Sequence, residues 1–319
     1  MTVAQVRGRR MDKPPMAVES LDITVLAGGP GPEREVSLDS GRAVHAALGR
    51  LGHRVEMYDI HADDLSALER PADFVFIALH GEFGEDGTLQ AELDERGLRY
   101  SGSGAEASRL AMDKAAAKER FERAGVATPR YEVVDSLRLK GLADRFATPA
   151  VVKPVSSGSS VDTTVARSAA ALERAAAEVV QRYGRALVEE YIAGRELTVG
   201  ILGDEALPVC EIRTKREFYN YQAKYLDDDT QYLFDPDLPA GVLEGVQRLS
   251  LAAHRALGCR VFSRVDCMLD ATTMQPYFLE VNTIPGFTSH SLVPKAAARR
   301  GINFDELCQR IIELSLRGC

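Results

Sequence analysis

The chain reads as an α/β protein of three units, the first a wound parallel sheet, and three observations carry that expectation. LDITVLAGG (21–29) is a buried-strand pattern that ends in glycines and leads through PGPEREVSLDSG into a helical stretch marked by Ala43, Leu48 and Leu51. HRVEMYDI and ADFVFIALHG continue the alternation of strand and helix, and the second is nearly all apolar, as strands covered on both faces of a parallel sheet are. A length of 319 residues with 45% hydrophobic content fills two or three cores.

Residues 1–20 contain Arg7, Arg9 and Arg10 without an apolar core of signal-peptide length, and are expected to be a poorly ordered leader. Residues 21–104 form the first unit. Open wound sheets bind ligands beyond the carboxyl ends of their strands, where Glu33 (after the first strand) and His80 (ending ALHG) would sit. A helical stretch from Ala105 through Arg123 opens the second unit, 105–187, with strands near YEVV, PAVVKP and TTVA and a helix from about Ser168 to Arg182. The third unit runs over 188–319.

Composition excludes several classes of function. Lys plus Arg number 39 against 47 Asp plus Glu, a formal charge of −8, so nothing advertises affinity for nucleic acid or an anionic membrane. No apolar run approaches a membrane span. Cys210, Cys259, Cys267, Cys308 and Cys319 are odd in number and form no CxxC pair, which points to a reducing cytosol with neither a disulfide framework nor a zinc site. GxxxxGK[ST] and GxGxxG are both absent, so P-loop and dinucleotide readings are disfavoured.

The chemistry concentrates in SRVDCMLD (263–270) and PYFLEVNTIPGF (276–287), two strands joined by a short link. Alternation puts Arg264, Asp266 and Met268 on one face and Val265, Cys267 and Leu269 on the other. It likewise puts Phe278, Glu280 and Asn282 on one face, with Tyr277, Leu279 and Val281 opposite. Paired in register, the polar faces gather a guanidinium, two carboxylates and an amide, an oxygen set suited to magnesium. A solvated face of an antiparallel sheet shows the same alternation, so the neighbouring segments decide the reading.

Those segments favour a nucleotide. VVKPVSSGSSVD (151–162) is a strand that ends in Lys153 and opens into a Ser/Gly loop, whose N–H and hydroxyl donors suit phosphate oxygens. Lys114, in the first turn of the helix in AMDKAAAKERF, gains nothing from the helix dipole and so wants another partner. In LVEEYIAGREL the backbone of Glu190, Tyr191 and Ile192 faces an adenine edge in this reading, and Glu189 and Glu196 accept from adenine or ribose. The aperiodic, aromatic stretch 214–236 reads as a lid with Lys224 and Tyr225 at its tip.

Eight ordered blocks, GGPGPEREVSLDSG, FIALHGEFGEDGTLQ, YSGSGAEASRLAMDK, VVKPVSSGSSV, EEYIAGREL, FYNYQAKYLDDDTQY, SRVDCMLD and LEVNTIPGFTSHSLVP, resemble the D-alanine–D-alanine ligases of the ATP-grasp superfamily over residues 21–316. The resemblance implies a three-domain ATP-grasp fold in which two α+β domains enclose ATP, in a cytoplasmic homodimer of peptidoglycan synthesis. It implies ATP as co-substrate with two Mg2+ (or Mn2+) ions on Asp266, Glu280 and Asn282, and phosphates on Lys114, Lys153 and Lys224. It puts adenine at Glu189 to Ile192 and ribose at Glu196. The ammonium of the first D-alanine falls to Glu33, with His80 close by, and the carboxylate of the second to Ser291 and Leu292. Arg264 and the Gly286 backbone steady the oxyanion, and Ser159 and Tyr225 tie the loops shut with Glu33.

The implied reaction converts the first D-alanine's carboxylate to an acyl phosphate, which the second amine attacks. Candidates for that amine's base are Tyr225, Ser159, His80 and the acyl phosphate itself. One departure stands out: the family commonly has glycine after GSSV, and this chain has Asp162, an added carboxylate beside the phosphate-covering loop. The tyrosine of FYNYQAKY favours D-alanine over D-lactate as second substrate and leaves D-serine open. Rival readings are a ligase of another D-amino acid and a silent nucleotide-binding homologue.

Overall fold

The computed structural model describes residues 20–158, 160–214, 230–288 and 291–318. In the first unit β1 (Asp22–Ala27) lies between β2 (Arg54–Asp59) and β3 (Phe74–Ile77), parallel to both. The helix α1 (Arg34–Arg50) returns the chain between β1 and β2, burying Val44, Ala47 and Leu48. The short α2 (Thr88–Glu95) follows β3.

The helical stretch expected over 105–123 is two helices, α3 (Ala105–Met112) and α4 (Lys114–Arg123), with Lys114 in the first turn of the second as expected. Asp113 breaks the run: its backbone is extended, and its side chain accepts from the Ala116 N–H at 3.0 Å as the N-cap of α4. The four-stranded sheet has the order β4 (Tyr131–Val134), β7 (Ala186–Glu190), β5 (Ala150–Pro154), β6 (Thr164–Ala166), antiparallel throughout. It packs one face on α5 (Leu142–Arg145) and α6 (Ala169–Tyr183), the latter capped by Ser168. The boundary expected after residue 187 falls inside β7, all of which pairs within this sheet, so the second unit extends to Glu190.

The third sheet has the path β11 (Gln231–Leu233), β10 (Cys210–Arg213), β8 (Gly194–Leu202), β12 (Phe262–Asp270), β13 (Pro276–Asn282), with β9 (Glu205–Ala206) on β8. Its apolar face, Leu197, Val199, Val265, Cys267 and Val281 among others, packs on α3, α4 and α7 (Ala240–Ala256). Helices α3 and α4 therefore share a core with the third sheet, while Ala115 of α4 also packs on Leu187 of the second. α8 (Leu292–Arg299) and α9 (Phe304–Leu316) close the chain against α1 and the first sheet.

One face assignment is corrected. Between Asp266 and Cys267 the register of β12 against β13 shifts: Asp266 faces Glu280 but Cys267 faces Phe278, leaving Leu279 as the extra residue of a β-bulge. Phe278 is accordingly buried in the apolar core, and Leu279 lines the opposite side with Glu280. Without the extra residue, strict alternation cannot have both Phe278 in the core and Glu280 beside Asp266.

Candidate active site

The polar face of the third sheet carries what alternation placed there. Arg264 and Asp266 project together, and the guanidinium holds the carboxylate as a fork, Nε to Oδ1 at 3.0 Å and Nη2 to Oδ2 at 2.8 Å. Thr198, from the adjacent β8, donates to Oδ1 at 2.6 Å. Across the hairpin Asp266 pairs with Glu280 and Arg264 with Asn282, so four polar groups occupy two alternate rungs, with the Val265–Val281 pair between them. Asn282 Oδ1 also accepts from the Ile284 N–H at 2.9 Å, starting the turn that follows β13.

The four-stranded sheet faces this surface with Val151, Lys153 and Glu189, and the two sheets bound a cleft of about 470 Å3. Lys114, Glu190, Tyr191, Ile192 and Glu196 line it too, as do Ser157, Ser160 and Thr163 of the serine loop. Lys114 Nζ donates to the Ser157 carbonyl at 2.5 Å and stands 3.5 Å from Glu280. Burial pushes its pKa down, Lys153 adds to that, and Glu280 opposes it. Glu189 is 2% exposed and gives one oxygen to Lys153 at 2.7 Å and the other to Lys118 at 2.6 Å. Its pKa is driven low by those two lysines against the opposing effect of burial. The Glu190 N–H donates to the Arg130 carbonyl at 2.8 Å.

Lys118 is a residue that sequence reasoning missed. It lies four positions after Lys114 on the same face of α4 and is 0% exposed. Burial lowers its pKa to about 8, with Glu189 opposing and Lys153 assisting. Its i,i+4 relation to Lys114 was the available signal.

Lys114, Ser157 and Glu280 also line a second, smaller cavity with Glu33, Arg264 and Asn282, so the two spaces adjoin. Glu33 occupies the N-cap position of α1 without capping the helix with its side chain. A Cβ at Gly81 would stand 2.7 Å from Glu33 Oε2, and φ there is +75°, so that position is glycine for both reasons. Glu85 is a second missed residue in this cavity. Its pKa is raised by burial and by Glu33, against a lowering by His80.

His80 is buried, with both ring nitrogens engaged. Nδ1 donates to the Ile284 carbonyl at 3.0 Å, and Nε2 meets Ser40 Oγ at 3.0 Å. Ser40 Oγ in turn accepts from the Phe287 N–H at 3.1 Å. Phe287 packs edge-on to Phe76, Phe262 and Phe304 at centroid distances of 5.6, 5.4 and 6.3 Å. His80 thus holds the 284–287 turn that carries Gly286. A Cβ on Gly286 would meet Ser291 Oγ at 2.6 Å, so the position expected at the oxyanion lies beside one expected at the second substrate. Leu292 begins α8 with its side chain in the core. Ser159, Lys224 and Tyr225 lie outside the described residues, as does most of the expected lid; its described end, β11, is an edge strand.

Among the described residues no cluster of three or more His, Cys, Asp or Glu is gathered for a metal. The oxygen donors here, Asp266, Glu280 and Asn282, fit a hard cation whose remaining positions go to water and phosphate. The four described cysteines are buried free thiols. No described helix is long and apolar enough to cross a membrane.

Residues 121–313 match the family model described as D-ala D-ala ligase C-terminus, and residues 60–103 that described as D-ala D-ala ligase N-terminus. The chain belongs to the D-alanine–D-alanine ligase family. A D-alanine–D-alanine ligase of Gloeobacter violaceus is 45% identical, covering 92% of this chain and 99% of its own length. One of Bordetella avium is also 45% identical, over 91% and 93%. The structure of the D-alanine–D-alanine ligase from Bacillus anthracis complexed with ATP superposes with a TM-score of 0.81 at 34% identity, covering 93% of this chain and 98% of that one. The VanG D-Ala:D-Ser ligase from Enterococcus faecalis gives 0.83 at 27%, over 93% and 100%. The three-unit architecture is the ATP-grasp fold of this family.

Proposed function

We propose that this protein is an ATP-dependent ligase that joins two D-alanines into D-alanyl-D-alanine and releases ADP and phosphate. The observation that carries the reading is the junction of the two cavities. The cation-rich cleft opens at Lys114, Ser157 and Glu280 onto a small space bounded by Glu33, Glu85 and Arg264. A phosphoryl donor in the first and an amino acid in the second meet at that junction.

A carboxylate resists attack by an amine until one oxygen becomes a leaving group, and transfer of the γ-phosphoryl supplies it. Lys114 and Lys153 hold the phosphates, while Glu33 and Glu85 receive the ammonium of the first D-alanine, so its carboxylate points toward the phosphoryl group. Arg264 and the Gly286 N–H then steady the tetrahedral oxyanion as the second amine attacks the acyl phosphate. A magnesium ion held by Asp266, Glu280 and Asn282 would supply charge neutralisation at the terminal phosphates. The Arg264 fork holds the Asp266 carboxylate in place beside Glu280, on the face where that ion would sit. The serine loop excludes water from the acyl phosphate. The proposal extends to a cytoplasmic homodimer whose product enters peptidoglycan.

The test is phosphate release from ATP with D-alanine, set against L-alanine, D-serine and D-lactate, with the product identified by mass. Release that depends on D-alanine and yields the dipeptide is expected. A dipeptide formed only when D-serine is present would move the second substrate to D-serine, the preference that the likeness to VanG keeps in view. No release with any of them would refute the reading.

A further inference from the structure

Asp162 stands where glycine is common in the family, and its backbone keeps a glycine-like conformation, with φ +53°. That left-handed geometry disfavours side chains, Asp and Asn least among them. Its carboxylate turns away from the cleft toward the last turn of α6: Oδ2 accepts from the Tyr183 hydroxyl at 2.5 Å and from the Arg182 guanidinium. The Tyr183 hydroxyl, with Arg182 beside it, holds the Asp162 carboxyl below the usual carboxylate range. Helix α6 is a rigid anchor, because Leu172, Ala175, Ala176, Val179 and Val180 bury it against the second sheet.

The other end of the loop bears on the reacting centre. Ser157 and Ser160 line the cleft, and Ser157 accepts from Lys114. A Cβ on Gly158 would lie 3.4 Å from Glu33 Oε2, so the loop also reaches the first unit. Two hydrogen-bonded turns, Val161 N–H to Gly158 O and Thr163 N–H to Ser160 O, join the two ends. A restraint at 162 is therefore transmitted to Gly158 and Ser160, and through them to Ser157.

We propose that Asp162, through Arg182 and Tyr183, is a positioning residue that tethers the serine loop to the end of α6 and holds it over the phosphate side of the cleft. The inference rests on the ligase reading for what lies beneath the loop. On this account the added carboxylate replaces a backbone freedom that glycine would leave, and favours the closed loop.

Asp162→Gly in the full-length protein tests it, since glycine suits the same φ and the site is at the surface. The expected result is an unchanged thermal midpoint, faster hydrogen exchange of the loop amides, a KM for ATP raised roughly 3- to 10-fold, and more phosphate released per dipeptide. That range is the worth of one net hydrogen bond, to which an ion pair at a partly exposed site adds little. Arg182→Gln with Tyr183→Phe should reproduce it, and adding Asp162→Gly to that pair should add nothing. Asp162→Asn, which keeps an acceptor and loses the charge, should fall between. Unaltered exchange, affinity and coupling in Asp162→Gly would overturn the proposal. So would faster exchange with unchanged ATP affinity and coupling, which would make the contact a matter of the fold alone, and so would additive effects of the three changes. If the wild type releases no phosphate with D-alanine, the ligase reading fails separately. Loop exchange and direct ATP binding then still decide the tether.

Discussion

Removing one oxygen atom, in Ser40→Ala, separates the role of the 284–287 turn from that of the rest of the fold. Ser40 is 0% exposed on α1, and its hydroxyl serves two buried groups from different parts of the chain, His80 Nε2 and the Phe287 N–H. Alanine suits a helix and opens almost no cavity, so the cost is that of two polar groups left without partners. At about 1–3 kcal/mol each, with partial relaxation, that gives roughly 2–4 kcal/mol. A chain of 319 residues unfolding as one unit should lose roughly 3–6 °C in thermal midpoint. The Phe287 ring keeps its three aromatic neighbours, so the turn stays in place while the direction of the Gly286 N–H loosens. Full loss of an oxyanion donor costs about 100- to 1,000-fold in rate, and a misdirected one should cost about tenfold. Denaturation followed in parallel with dipeptide formation and ATP binding is the assay. Reduced kcat with unchanged ATP affinity is expected. Wild-type stability and rate together would refute the argument, and would mean that Phe287 packing alone positions the turn.

Other predictions follow from the same contacts. Asp266→Ala or Glu280→Ala should abolish dipeptide formation while a cooperative unfolding transition remains, because each removes a hard oxygen donor from a polar face; activity retained in both would sink the metal assignment. The Lys118 ammonium is depressed to about 8 in the fold, so folding excludes its proton between pH 8 and the ordinary lysine range. The wild type should therefore gain stability relative to Lys118→Met as pH rises through that window, and a pH-independent difference by calorimetry would contradict the burial argument. His254 is held neutral by burial, with its pKa lowered to about 4, and Nδ1 lies 2.7 Å from Ser263 Oγ. Its contribution is complete above about pH 6.5 and is lost as pH falls through 4, worth roughly 3 kcal/mol. His254→Asn should flatten that acid limb, as unfolding midpoints between pH 4 and 7 would read.

Much of the site was legible because its signals are local. The two-residue period of a strand depends on nothing beyond the strand, so Arg264 and Asp266 could be placed on one face from SRVDCMLD alone. A lysine at the start of a helix is a local anomaly too, and Lys114 proved to be buried against Ser157 and Glu280. Ordered blocks of motif carried the family, and with it the residues that no periodicity picks out, such as Gly286 and Ser291.

Tertiary structure decided the rest. The bulge after Asp266 arises from pairing with β13 and moves Phe278 into the core, a shift invisible to either strand read by itself. Glu85, Lys118 and Ser40 look like ordinary surface or helix residues in sequence. Each acquires its role from a partner far along the chain: Glu33, Glu189 and Phe287 respectively. The outward turn of Asp162 is likewise set by Arg182 and Tyr183, twenty and twenty-one positions later. Periodicity reports which face a side chain occupies. Which charge it meets there depends on long-range packing, and the low dielectric of a buried site is what turns that meeting into chemistry.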